Sequence, residues 1–553
     1  MAAHPHVATL MHTLYAGSGA SAGDAAAHRA GIQPGTVRAA PSYGRRLGAA
    51  LVPWLVPALT ALLWYLASRQ QWMSPQILPS PEVVAKTALE LASGELGGQL
   101  WISVQRLALG LLGGVSTGLL LGAVLDASAR AERLIYPTFS ALAQVPTLAW
   151  IPLFMLFFGI GELLKWVVLV KAIVVPVTVH TLVGARDVPP RLREAAAVLR
   201  LPRGVRLWRL TVPAALPSVL TGLRLALSQG WAALLAVELL ASSEGIGYLM
   251  VWGRQLFMLD IVLVCILVVG LTGGVMAWAM HRLSQRMVHW PQPGMAAFAG
   301  GRAAPGGWGV QSWALPLVLL AVWQLASQHG GAARILAAPL AVLHTTASGL
   351  LDGSLPTAMA LSLGRTLGGL ALGGGSGVLL GLALGLWRPA ERALGPALAA
   401  VRQVAIFAWV PLLTAWFGLG EPAKVVFVAL AAFFPLLLAT QHGVADLSPQ
   451  LAEAAGVLRL NLRQRLRLLI LPGALPAIFA GLRLGLIYAW LGTVGAEYFM
   501  PSGGGIGSLL IGAQQLFRMD LVLSGMLLIG LTGAALGALG QLLERRSTYW
   551  RHA

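Results

Sequence analysis

The sequence predicts an all-α polytopic membrane protein with about twelve transmembrane helices in two parallel six-helix repeats. Three observations carry this reading. Hydrophobic residues make up 57% of the 553 positions and charged residues only 10%, a balance far from that of soluble domains. Apolar runs long enough to cross a bilayer, roughly 20 residues each, recur along the chain. The second half also repeats the first at a constant offset.

The formal charge of +18 raises the question of nucleic acid. The basic residues, however, fall mainly in short segments between apolar runs, where they set membrane topology. Nucleic acid is therefore not an expected partner, and the lipid bilayer is. The one cysteine, Cys265, lies inside an apolar run, so no disulfide framework or cysteine metal site is expected within the chain.

Residues 1–49 are rich in Ala, Gly, Ser and His and are expected to form a disordered cytoplasmic tail without a signal-peptide core. Arg45 and Arg46 precede the first apolar run, which the positive-inside rule makes an uncleaved anchor with its N-terminus in the cytoplasm. A twin-arginine export signal is the competing reading, but no small-residue cleavage site follows. Expected spans in the first domain (50–284) are 51–68, 104–125, 133–158, 163–183, 212–240 and 259–282. Those of the second (313–545) are 313–327, 363–386, 392–417, 422–441, 471–499 and 519–540. A Pro- and Gly-rich cytoplasmic linker, 285–312, joins them, and 546–553 form a cytoplasmic tail.

Aligned at an offset of 259, Arg106 falls on Arg365, Glu162 on Glu421 and Pro176 on Pro435. Over 194–224 against 453–483, 17 of 31 positions are identical, too many for shared Leu and Ala bias. An even number of crossings per copy leaves both copies with the same orientation, related by an axis along the membrane normal, with a pathway between them. The loop 184–209 holds seven arginines and is placed inside. The loop 69–103, with Glu82, Glu90 and Glu95, is placed outside. Glycines at 110, 114, 118 and 122, and again at 369, 373, 377 and 381, line one face of the second span of each copy, where another helix can approach closely.

Between the fourth and fifth spans the chain reads Glu194-Ala195-Ala196, with Pro213 nineteen residues after the glutamate. The second copy reads Glu453-Ala454-Ala455, then Pro472. This resembles the EAA loop of binding-protein-dependent ABC importer permeases, whose short helix docks on an ATPase subunit. Small alanines allow close packing and the charged residue anchors it. The family usually has glycine six residues after the glutamate; here both copies have arginine, Arg200 and Arg459. Ala149-Trp150-Ile151-Pro152 and Phe158-Gly159-Ile160-Gly161-Glu162, mirrored at 408–411 and 417–421, are similar to the nitrate, sulfonate and taurine branch. The resemblance covers 50–284 and 313–545. It implies a type I ABC importer fold, an extracytoplasmic solute-binding protein and two separate ATPase subunits, with one fused chain replacing the usual pair.

No phosphate-binding loop is present: the four lysines are Lys86, Lys165, Lys171 and Lys424, none preceded by glycine. ATP is therefore expected on the partner subunits, with no cofactor and no catalytic residue in this chain. Along the path, Lys171 sits too deep to snorkel and is a candidate for attracting an anionic substrate; pairing with a backbone carbonyl or polar neighbour is the alternative. Glu238 and Glu497 are candidates for gating, or for hydrogen bonding to the Gly-rich loops that follow. Gln144 and Gln403 line the path or join helices. An ion-coupled secondary transporter is the rival reading; it requires carboxylates near the midplane, and only Glu238 and Glu497 qualify.

Overall fold

The computed structural model describes residues 43–288, 310–328 and 337–547, and every regular element among them is helical. The expected tail over 1–42, most of the linker (289–309) and the tail 548–553 lie outside the described residues. The first half comprises α1 (Tyr43–Arg69), α2 (Pro81–Ser93), α3 (Leu96–Ala127), α4 (Ala129–Gln144), α5 (Thr147–Phe158), α6 (Glu162–Arg186), α7 (Pro190–Val198), α8 (Val212–Ala241), α9 (Ile246–Gln255) and α10 (Leu259–Met287). The second repeats it as α11 (Val310–Ala326), α12 (Pro339–Leu351), α13 (Ser354–Leu386), α14 (Arg388–Gln403), α15 (Val410–Phe417), α16 (Glu421–Ala445), α17 (Pro449–Val457), α18 (Leu471–Phe499), α19 (Ile506–Gln515) and α20 (Met519–Ser547).

Among the described residues eight helices are long and apolar enough to cross a membrane, ten if each bent pair counts as one span. α1 and α11 occupy the places of the first spans. α1 begins at Tyr43, within the expected tail, and α10 ends at Met287, within the expected linker.

The third spans correct the sequence reading. Each was expected as one helix, but α4 and α5 meet at 97°, and α14 and the 406–417 helix at 92°. In the first half the break has a local cause. Pro146 cannot donate to the helix and pushes Val145 into extended backbone (ψ 118°). In the second half Ala405 replaces that proline, yet Val404 and Ala405 adopt the same extended conformation. There the break is imposed by tertiary packing.

The glycine faces are close-packing surfaces, as expected. A Cβ on Gly110, Gly114, Gly118 or Gly122 would strike Leu169, Ile173, Val177 or Thr181 of α6. Gly369, Gly373, Gly377 and Gly381 of α13 meet α16 in the same way. α3, α6 and α8, like α13, α16 and α18, thus form a tight three-helix core in each half. The segments after the breaks cross over. Ala149 and Leu153 of α5 pack in a core otherwise built by the second half, while Ala408 and Leu412 pack in the first half's. A third core takes both copies together, with Leu148, Val237, Phe407, Phe427 and Ala496.

Candidate coupling loops and translocation path

The Glu-Ala-Ala segments form α7 and α17. Glu194, Ala195 and Glu453 are exposed, while Ala196 and Ala455 are buried; the Ala454 side chain lies outside the described residues. Both helices close the same way. The N–H of Arg200 donates to the Ala197 carbonyl (3.0 Å) and that of Leu201 to Ala196 (3.1 Å). In the copy, Arg459 donates to Gly456 (3.0 Å) and Leu460 to Ala455 (3.1 Å). This pair of bonds is a Schellman ending, which puts its central residue in the left-handed region where glycine is at home. Arg200 has φ +46° and Arg459 φ +47°. Just before each arginine two apolar side chains stand out: Val198 and Leu199 at 83% and 69% exposure, Val457 and Leu458 at 83% and 70%. A short helix with a bare apolar tip and a basic cap can insert in a groove of another protein.

Pro213 and Pro472 lie in the first turns of α8 and α18. They sit at the second position of each, but helical backbone begins earlier. Residues 203–206 and 462–465 are already helical, and single π turns, Leu207–Thr211 and Leu466–Ile470, carry the chain into α8 and α18. A π turn absorbs the bond the proline cannot make. The second copy is also capped reciprocally by Asn461 and Gln464, each backbone N–H donating to the other's side chain (3.0 and 2.9 Å). On the first loop, the Arg193 guanidinium donates to the Val188 (3.0 Å) and Arg186 carbonyls. Arg186 pairs with Glu132 at 2.5 Å, tying the loop's root to α4.

At the opposite end of the spans each half holds an ionic clamp, with its arginine and one glutamate buried and its other glutamate exposed. Arg106 reaches Glu162 through two nitrogens (2.9 and 2.6 Å), Glu238 (2.9 Å) and the Glu244 carbonyl (2.8 Å). Ser103 and the Gly247 N–H also donate to Glu238. The second half repeats this with Arg365 on Glu421 (2.7 and 2.6 Å) and Glu497 (2.6 Å), and with Ser362 and the Gly507 N–H on Glu497. Gly245 (φ +102°) and Gly505 (φ +113°) pass so close to these glutamates that a Cβ would collide with their carboxylates. Glu238 and Glu497 are therefore the anchors of the Gly-rich loops. In the sequence, Arg106 served only to align the repeats, and Glu162 to align them and to carry the family resemblance. The signal that they bond was present: charged residues repeated inside apolar runs are retained only with partners.

Lys171, on α6, donates to the Val145 carbonyl (2.7 Å) and to Thr147 Oγ1 (3.3 Å), both at the break of the third span. Gln144, exposed, and Gln403, half-buried, end the helices before the two breaks. The breaks rest on the last helix of the opposite half: a Cβ on Gly273 would touch the Gln403 carbonyl, and one on Gly530 would touch Val145. The structure thus places Lys171 and Gln144 at the first break and Gln403 at the second, the glutamates at one end of the spans, and the Glu-Ala-Ala helices at the other.

Two polytopic helical repeats, each with a Glu-Ala-Ala helix ahead of its long helix α8 or α18, make up a membrane transport permease. The chain belongs to the family of binding-protein-dependent transport system inner membrane components, whose profile matches residues 114–289 and 377–549. It is a multi-pass transport permease made of two such units in tandem. It is similar to a Bacillus subtilis protein named for aliphatic sulfonate transport, SsuC: 35% identity over 248 residues, covering 45% of this chain and 89% of that protein. The taurine transport system permease protein TauC of Escherichia coli is 31% identical over 239 residues (42% of this chain, 87% of TauC). The bicarbonate transport system permease protein CmpB of Synechococcus elongatus is 31% identical over 241 residues (41% and 83%). Each relative spans one unit's length.

Proposed function

We propose that this chain alone forms the permease of a bacterial inner-membrane importer, with both termini in the cytoplasm. Two separate ATPase subunits dock on α7 and α17 and supply all the ATP chemistry; the chain itself binds no cofactor and catalyses nothing. A solute-binding protein outside delivers a small anion, such as a sulfonate, taurine or bicarbonate, the cargoes for which the relatives are named. Closure of the ATPases draws the two Glu-Ala-Ala helices together, the halves rock, and the central path changes the side to which it opens.

The observation that carries this reading is the duplicated loop helix with its bare apolar tip and left-handed arginine, built alike in both halves. An ion-coupled mechanism finds no support in Glu238 and Glu497, because each is held by an arginine, a serine and a backbone N–H. The test is co-purification with the cognate ATPases. Wild type is expected to retain two per chain, and the Glu194→Arg plus Glu453→Arg variant to lose both while still eluting as a folded species. Absence of ATPase from wild type overturns the reading.

A further inference from the structure

We infer that Gln229 of α8 and Tyr488 of α18 line the solute path between the halves, and that the core shared by both copies closes that path on its outer side. The inference rests on the importer reading above and deepens it by naming side chains that a passing solute touches. The two residues occupy equivalent places, 259 positions apart. A permease of two identical chains presents one side chain twice, whereas this chain offers a polar solute an amide on one wall and a phenol on the other.

Gln229 stands twelve residues before the end of α8 at Ala241, and Tyr488 eleven before the end of α18 at Phe499. At 1.5 Å per residue these are depths of roughly 18 and 16 Å, near the middle of a hydrocarbon layer about 30 Å thick. Both side chains are exposed, and neither the Gln229 amide nor the Tyr488 hydroxyl bonds to any described residue. Exposed hydroxyls on other spans behave differently. Thr117 of α3 and Ser376 of α13 turn back on carbonyls of their own helices, Gly113 and Leu372, at 2.7 Å each. That is how a polar group is carried on a lipid face. An amide with both its donors and its acceptor free is too costly against hydrocarbon at this depth. Water or a polar solute satisfies it.

Helix register sets what the two residues face. Gln229 shares a face of α8 with Ala232, Ala233 and Ala236, which follow it by three, four and seven residues. All three pack in or against the shared core of Leu148, Val237, Phe407 and Phe427. On α18, Gly495 follows Tyr488 by seven residues, and a Cβ on it would touch Phe407 and Leu148, one from each half. Both residues therefore look toward the opposite half, one to two turns from the shared core on the side of the Glu-Ala-Ala helices. One turn further from that core, Leu225 and Leu484 are exposed as well, at 40% and 50%. The halves meet around the shared core and part below it.

The test is labelling of cysteine variants of the full chain, in inside-out membrane vesicles, with a membrane-impermeant sulfonated maleimide. The reagent attacks the thiolate, which forms only where water reaches the sulfur. The native Cys265 is buried, so wild type is the blank. Gln229→Cys and Tyr488→Cys are expected to label at least tenfold faster than Leu372→Cys, which replaces an exposed leucine in the middle of α13. Ala236→Cys, in the shared core, is expected to stay unlabelled. Leu225→Cys and Leu484→Cys are expected to label as fast as the first pair, and they carry the test should either of that pair fail to insert. Labelling of either wall no faster than Leu372→Cys would put that wall against lipid and overturn the path; labelling of Ala236→Cys at the path rate would overturn the seal. The vesicles need no ATPase, so failure of ATPase co-purification strikes the importer reading, while the labelling reports on the path alone.

Discussion

At the residue scale, Arg200 and Arg459 are the most telling positions. The sequence shows arginine where the resemblance leads one to expect glycine, and the backbone shows why glycine is the usual occupant: both arginines hold φ near +46° at the left-handed position of a Schellman ending. A side chain there costs about 1 kcal/mol, so the sequence tolerates a strained residue twice at one place. Arg200→Gly with Arg459→Gly is expected to stabilise the isolated chain by about 1 kcal/mol per helix end before the entropy of the unfolded glycine is subtracted, read as a raised unfolding temperature. ATPase affinity should fall in the same variant, because the exposed cations at the helix tips are lost. A rise in stability with unchanged ATPase retention would mean that the arginines have no part in docking. The anomaly was legible in the sequence; its conformational meaning was not, since one-letter patterns do not report φ.

At the element scale, the glycine ladders were legible because a four-residue period places a bare face on a helix whatever it meets. Their partner helix was not. The ladder also separates packed glycines from idle ones within a single helix. A Cβ on Gly373 would overlap the Ala429 carbonyl of α16, whereas one on Gly375 would meet nothing within 4 Å. Gly373→Ala is therefore expected to force α13 and α16 apart and to cost several kcal/mol, read as a lowered unfolding temperature and lost yield in detergent. Gly375→Ala should be neutral or slightly stabilising, as alanine is the better helix former. Equal effects of the two would refute the packing account. The breaks in the third spans divide the same way. Pro146 announces the first, but Ala405 gives no local signal of the second, because there the bend is set by the neighbours it crosses.

For the whole molecule, the duplication and the all-helical, membrane-spanning character follow from composition and offset alone. The reciprocal exchange of α5 and α15 does not, since no hydropathy pattern records which half a buried residue enters. Yet that exchange decides how the halves hold together. Ala149 and Leu153 are buried in a core belonging to the second half, and Ala408 and Leu412 in one belonging to the first. Separating the halves would expose these residues and open the shared core around Leu148, Phe407 and Phe427. If so, the covalent link between them contributes mainly by raising the local concentration of one half around the other. Two chains, residues 1–298 and 299–553, expressed together are then expected to co-purify as a one-to-one complex that melts as a unit. Residues 1–298 expressed alone should aggregate or be degraded. Independent folding of each half, with no association when mixed, would show that the crossover contacts are too weak to assemble the permease and that the connection itself is what holds it.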